Sequence, residues 1–229
     1  MSKSLLLTLL LALSFLNGCD SEPKNFVSLR RPGQREQLKR QFKAAKDGNV
    51  QAQLAMGQLY QEGKEIDRDY DEARRWYEMA ARAGDKTAYS TIGQLYKQGG
   101  PGLPANYAIA KDWYEKAAAA GDVEAYGTIG GLYHRGGPGL PANYAIAKEW
   151  YEKSTAAGED AHWAIGNLYV NGDANLVADW SKALEQYSIC AKREPRCAEY
   201  AAWLYENGGP KLAADWVKAQ GWYERAIVL

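Results

Sequence analysis

The sequence predicts an all-α chain built from repeats. Three observations predict it. Small residues and helix formers dominate, and the alternating Val, Ile and Thr runs of half-buried strands are missing. Tyr60, Tyr96, Tyr133, Tyr169 and Tyr205 recur at spacings of 36, 37, 36 and 36, and Ala73, Ala110, Ala147, Ala183 and Ala219 at 37, 37, 36 and 36. Three residues after each alanine stands Trp76, Trp113, Trp150, Gln186 or Trp222, followed every time by a tyrosine: Tyr77, Tyr114, Tyr151, Tyr187 and Tyr223. A fixed period of this length marks stacked supersecondary units, each unable to bury its apolar face alone.

In chain order, residues 1–18 read as a signal peptide. Lys3 is followed by an apolar run of 12 residues, Leu5 to Leu16. That is short of the ~20 that span a bilayer but suits a signal core. The sequence Leu16-Asn17-Gly18-Cys19 resembles a bacterial lipobox, so the mature chain is expected to start at an acylated Cys19. The alternative is an ordinary secretory signal in which Cys19 is incidental. Two acyl chains anchor stably, which places the expected protein in the bacterial periplasm on an envelope membrane. Asp20 resembles an inner-membrane retention signal. Residues 19–33, with Pro23 and Pro32, read as a tether. Residues 34–47 read as a capping helix, and five repeats follow at about 48–84, 85–121, 122–158, 159–195 and 196–229.

Each repeat reads as two helices, A and B. Helix A carries a glycine at Gly57, Gly93, Gly130 or Gly166, replaced by Ala202 in the fifth copy. A mid-helix glycine costs ~1 kcal/mol against alanine, so a close approach of helix B is expected there. Helix B starts after Asp69, Asn106, Asn143, Asp179 or Asp215, all good N-caps. It ends at Gly84, Gly121 or Gly158, and in the fourth copy at Pro195. Between the helices of copies two and three runs "GGPGLPANYAIAK", identical at Gly99–Lys111 and Gly136–Lys148. A phosphate loop needs Lys then Ser or Thr directly after its glycines. This segment has neither, and its prolines remove N–H groups an anion would need. It is read as the A–B turn.

Little else carries chemistry. His134 and His162 lie in different copies with no ligand at metal spacing, and no serine sits in a nucleophile-elbow context. Carboxylates such as Glu78 and Glu115 are expected on the solvent side of helix B. No enzyme, no cofactor and no metal are predicted. Lys and Arg number 28 against 28 Asp and Glu, so nucleic acid is not an expected partner.

The registered motifs "STIGQLY", "WAIGNLY" and "AKDWYEKAAAAG" resemble the Sel-1-like repeat family, relatives of the tetratricopeptide repeats, from about Gly48 to Leu229. The resemblance implies a right-handed α-solenoid of five two-helix repeats whose A helices line a concave, protein-binding face. Cys190 falls in the slot of Ala80, Ala117 and Ser154, and Cys197 in the slot of Ala52, Ala88, Ala125 and Ala161. These slots flank the turn between repeats, where a cysteine-rich branch of the family carries disulfides. A Cys190–Cys197 bond is expected, with two free buried thiols as the alternative.

Residues kept across copies are scaffold. By that test Trp180 and Trp216, in the slot of Tyr70, Tyr107 and Tyr144, are structural. Trp163 replaces Leu54, Ser90, Gly127 and Glu199 in its slot, and Trp203 replaces Gln58, Gln94, Gly131 and Asn167. Both are predicted to bind a partner, with Gln94, Lys97, His134, Arg135, Asn167, Glu199 and Glu206 around them; the alternative is that they fill space left by smaller neighbours. Lipoproteins of this repeat type resemble immunity proteins encoded beside type VI secretion effectors, particularly phospholipase-D-like lipases. The resemblance implies a protein partner, a secreted toxin, neutralised in the periplasm. An envelope adaptor that regulates cell-wall enzymes, signalling or virulence is the alternative.

Overall fold

The computed structural model describes residues 32–228. The expected signal peptide, the acylated Cys19 and nearly all of the tether lie outside them. Eleven helices and no strand occur among the described residues. The chain divides at Ala105/Asn106 into two compact units, and in each of them consecutive helices pack pairwise as in repeat proteins.

The first unit holds α1 (Pro32–Lys46), α2 (Val50–Glu62), α3 (Tyr70–Arg82) and α4 (Lys86–Gln98). Helix α1 buries Leu38, Phe42 and Ala45. Their spacing of four and three residues puts them on one helical face. Phe42 meets the Trp76 ring edge-on with centroids 5.7 Å apart, and Gln53 Nε2 donates to the Ala45 carbonyl at 3.1 Å. That face is where a preceding B helix would pack, so α1 closes the first repeat. Asp69 caps α3 by accepting from the Asp71 and Glu72 N–H groups. One expectation is corrected here. Glu78 is not a solvated carboxylate: it holds Arg74 at 2.6 Å with a side chain only 13% exposed, while Arg74 also reaches Asp71 at 2.7 Å. Arginine at i and acids at i−3 and i+4 lie on one face of α3, and this face is covered.

The second unit holds α5 (Tyr107–Ala119), α6 (Glu124–Arg135), α7 (Tyr144–Ala156), α8 (His162–Asn171), α9 (Trp180–Cys190), α10 (Pro195–Asn207) and α11 (Trp216–Val228). Each packs on the next. One buried cluster joins Ala147, Tyr151, Ala161, Ile165 and Leu168; a second joins Ala183, Tyr187, Ala191, Ala198, Ala201 and Leu204 with Cys190 and Cys197. The fourth B helix ends at Cys190, whose carbonyl takes the Arg193 and Glu194 N–H groups at 2.9 Å. Pro195, expected as the stop of that helix, instead opens α10 at a position where its missing N–H costs nothing.

The glycine-rich turns have a structural task. Gly99 and Gly136 both sit at φ 63°, and a Cβ on either would press on the backbone of Ala105 or Ala142. Each turn reaches back to the B helix before it. The Pro101 carbonyl accepts from Tyr70 N at 3.1 Å, Pro138 from Tyr107 N at 2.7 Å and Pro210 from Trp180 N at 2.9 Å. These bonds satisfy an N–H that the first helical turn leaves unpaired. The fourth repeat has no such proline, and Asp173 Oδ2 accepts from Tyr144 N at 2.9 Å in its place. Trp216 occupies the equivalent slot on α11 and is 67% exposed, with no turn over it among the described residues.

Candidate functional site

Departures from the repeat sort into two kinds. The first is paired. Tyr126 on α6 stacks on Trp150 on α7, with ring centroids 6.1 Å apart. In the next repeat both slots change together: His162 on α8 meets Gln186 on α9, Nδ1 to Oε1 at 2.9 Å. An aromatic contact is exchanged for a polar one, so Gln186 is scaffold despite breaking the pattern.

The second kind has no scaffold partner that consumes it. On α10, Arg196, Glu199, Tyr200, Trp203 and Glu206 follow at intervals of three, one, three and three residues and form one helical stripe. On α8, Trp163, Asn167 and Val170 do the same. Among these helices lies an open cavity of about 570 Å³ lined by Asn167, Val170, Asn171, Tyr187, Arg196, Glu199, Tyr200, Trp203 and Tyr223. Such a volume is in the ~300–1,000 Å³ range of ligand sites. Tyr200 stacks on Tyr187 with centroids 5.5 Å apart and takes the edge of Trp163 at 6.3 Å. Trp203 leans on Trp180 at 5.0 Å. Trp163, Tyr200 and Trp203 remain 44%, 40% and 41% exposed, so packing uses only part of each ring.

Hydrogen bonds fix the walls. Tyr187 Oη donates to Asn167 Oδ1 at 2.7 Å, and Tyr223 Oη donates to Glu206 Oε2 at 2.7 Å. The Glu206 bond pushes the Tyr223 phenol up, with desolvation and then the charges of Glu206 and Glu199 adding to it. Burial holds the Tyr187 phenol protonated well above its ordinary value, with Tyr200 adding to it. Both phenols act as fixed donors.

The structure brings Asn167, Glu199 and Trp203 to one cavity, with Trp163 and Glu206 joined to its walls by direct contact. His134 is elsewhere: half-buried, with its ring against the Tyr144 edge at 5.1 Å and Tyr151 at 6.5 Å, while Arg135 is exposed beside it. Gln94 and Lys97 lie half-buried on α4 of the first unit. Tyr200 was not among the expected binding residues. Its slot holds Ala55, Thr91, Thr128 and Ala164 in the other copies, so the comparison that singles out Trp203 also singles out Tyr200. Cys190 and Cys197 are joined by a disulfide in the structure, with Cα atoms 5.9 Å apart, behind the wall formed by α9 and α10. No three His, Cys, Asp or Glu side chains come together as a metal site among the described residues.

Solved structures and family models match this architecture. A protective antigen of uropathogenic Escherichia coli strains, displaying an SLR fold, is 30% identical over 84% of this chain with a TM-score of 0.62. The chain spans 41% of that antigen's length. A Sel1 repeat protein from Oxalobacter formigenes is 28% identical over 80% of this chain and 72% of its own, with a TM-score of 0.56. An immunity protein from Pseudomonas aeruginosa aligns over 95% of this chain and 81% of its own at 17% identity and a TM-score of 0.41, a likeness too distant to carry function. No curated protein sequence matches. The Sel1 repeat model matches residues 50–85, 88–122, 126–159 and 196–227, passing over the fourth repeat. That repeat has the His162–Gln186 exchange and the Asp173 turn, yet it folds into α8 and α9 like the others. With over half its length matched and helix pairs of the expected kind throughout the described residues, the chain belongs to the Sel1 repeat family, a protein-interaction scaffold that is generally non-enzymatic.

Proposed function

We propose that this chain is a lipid-anchored periplasmic immunity protein that binds and neutralises a phospholipase-D-like toxin delivered by type VI secretion. The observation that carries the protein-binding reading is the filling of the second unit's groove. Three large aromatic side chains, Trp163, Tyr200 and Trp203, stand in slots that other copies fill with other, mostly smaller residues, and each stays substantially exposed. Scaffold needs do not call for them, and exposed Trp and Tyr amid polar neighbours have the composition of interface hot spots. The lipobox resemblance supplies the tether through Cys19, and the resemblance to effector-linked repeat lipoproteins supplies the class of toxin.

The test is a competition between siblings. A strain lacking the gene is grown against its effector-competent parent, then complemented with the wild-type chain or with Tyr200→Ala/Trp203→Ala. The deletion strain is expected to be killed, the wild-type chain to protect it, and the variant, present at wild-type level and with a wild-type melting temperature, to fail. Unchanged survival of the deletion strain overturns the immunity role and favours an envelope adaptor. Full protection by the variant overturns the groove assignment.

A further inference from the structure

We propose that the groove between α8, α9, α10 and α11 takes an arginine side chain presented between apolar residues on the partner protein. The inference rests on the groove being the partner face and adds the chemistry that fills it.

Four features point the same way. Tyr200 and Trp203 line the cavity and are 40% and 41% exposed, and an aromatic face attracts a cation, arginine most often. Glu199 lines the same cavity and has no ion-pair partner among the described residues. Glu206 lies two helical turns further along α10 on the same stripe, ~10 Å from it along the axis at 1.5 Å per residue, with Trp203 between them. Its Oε2 is taken by Tyr223, which leaves Oε1 as a free acceptor. The cavity's own cation, Arg196, is turned toward Glu194, which its Nη2 and Nε hold at 2.8 and 3.1 Å. The groove thus offers aromatic surface and the Glu199 carboxylate, with Glu206 held on the adjoining wall by Tyr223 and the lining Arg196 paired to Glu194.

Geometry favours arginine over lysine. A guanidinium is planar, stacks on rings and meets a carboxylate through two parallel N–H bonds, whereas an ammonium is a compact, strongly hydrated point charge. The apolar flanks have a place as well: Val170 and the outer faces of Trp163 and Trp203 are exposed or half-buried at the rim.

The experiment uses the chain from Cys19 onward without its lipid, labelled with ¹⁵N-tryptophan. The probes are three peptides, acetyl-Gly-Leu-X-Leu-Gly-amide, with X as arginine, citrulline or glutamate. Citrulline keeps the shape and removes the charge. The arginine peptide is expected to shift the Trp163 and Trp203 indole resonances saturably, and to bind about tenfold tighter than the citrulline peptide, the worth of one charge-assisted hydrogen bond. Glu199→Gln, at an exposed position, is expected to weaken the arginine peptide alone, and salt to weaken it further. Equal binding of arginine and citrulline, an unchanged arginine affinity in Glu199→Gln, or no saturable shift by about 10 mM peptide would each overturn the proposal. Loss of charge selectivity while protection still depends on Trp203 removes only the arginine assignment. Charge selectivity with protection independent of Trp203 leaves the arginine site standing and removes only the groove's role in protection.

Discussion

Gly166 on α8 faces Tyr187 on α9 so closely that a Cβ there would lie 2.5 Å from Tyr187 Cε1. The same relation holds between Gly57 and Tyr77 and between Gly130 and Tyr151, at 2.6 and 2.7 Å. Alanine at Gly166 gains up to ~1 kcal/mol of helix propensity. It also overpacks a ring that is 1% exposed and tied to Asn167, a change costing ~1–3 kcal/mol. The ring is held by its bond to Asn167 and its stacking on Tyr200, so the steric cost wins. Gly166→Ala is expected to lower the denaturant midpoint by about 1 kcal/mol of stability. Gly221→Ala, on α11 with open space around it, is expected to raise stability by roughly 0.5–1 kcal/mol. Equal gains for the two would remove close approach as the reason for the helix A glycine.

Asp173 replaces a turn carbonyl with a carboxylate. Oδ2 accepts from Tyr144 N, and Oδ1 accepts from Asn175 N and Leu176 N at 2.8 Å. Desolvation pushes its pKa up, but the backbone N–H bonds from Tyr144, Asn175 and Leu176 outweigh it and hold the carboxyl below its ordinary value. A depressed folded pKa contributes stability above the unfolded value, near 3.9, that is lost as pH falls through the folded one. Asp173→Asn keeps one acceptor oxygen and is expected to melt below wild type at neutral pH. The gap should narrow below about pH 4. A gap that stays constant with pH would assign the loss to shape rather than charge.

Much of this was legible in the sequence, because the repeat is its own control. The period gives the helix pairs, the N-cap slots give the start of each B helix, and slots that change from copy to copy give Trp163, Asn167, Glu199, Trp203 and Glu206. Tyr200 was equally legible by that test. What the period cannot carry is complementarity between two departures: nothing in the spacing says that His162 and Gln186 answer each other, or that Asp173 stands in for a proline carbonyl. Local ion pairing is similarly invisible, so Glu78 looks solvent-bound until α3 is seen to fold Arg74 over it. Pro195 marks a boundary in either reading; only the Cys190 carbonyl bonds show on which side of it the helix begins.

His134 sits at the end of α6 against Tyr144 and Tyr151. Burial lowers its pKa below the ordinary value, and the neighbouring Arg135 charge lowers it further. The unfolded chain therefore binds a proton here more readily than the folded one. Stability from neutral His134 is complete above about pH 6.5 and is lost as pH falls through the lower folded pKa. His134→Gln is expected to flatten the fall in melting temperature between about pH 7 and pH 5. Parallel curves for variant and wild type would show that the imidazole takes up its proton equally in the folded and unfolded states over this range.

The Cys190–Cys197 bond links the end of α9 to the start of α10, with a sequence separation of 7. Closing so short a loop in the unfolded chain is worth about 2–3 kcal/mol in the chain-entropy picture. The repeat supplies a control for packing. The slots of these two cysteines hold Ala80 and Ala117, and Ala52, Ala88 and Ala125, in other copies, so Cys190→Ala/Cys197→Ala restores side chains the scaffold already uses. The oxidised wild-type chain is expected to be about 2 kcal/mol more stable than this variant, and reductant should remove most of that difference. Because α9 carries Tyr187 and α10 carries Tyr200 and Trp203, the link also holds the two aromatic walls in register. Amide exchange at the first turns of α10 should accelerate on reduction before the rest of the second unit loosens. An intact mass that does not change on reduction, or equal midpoints with and without reductant, would leave the two sulfurs as ordinary core atoms and the wall held by packing alone.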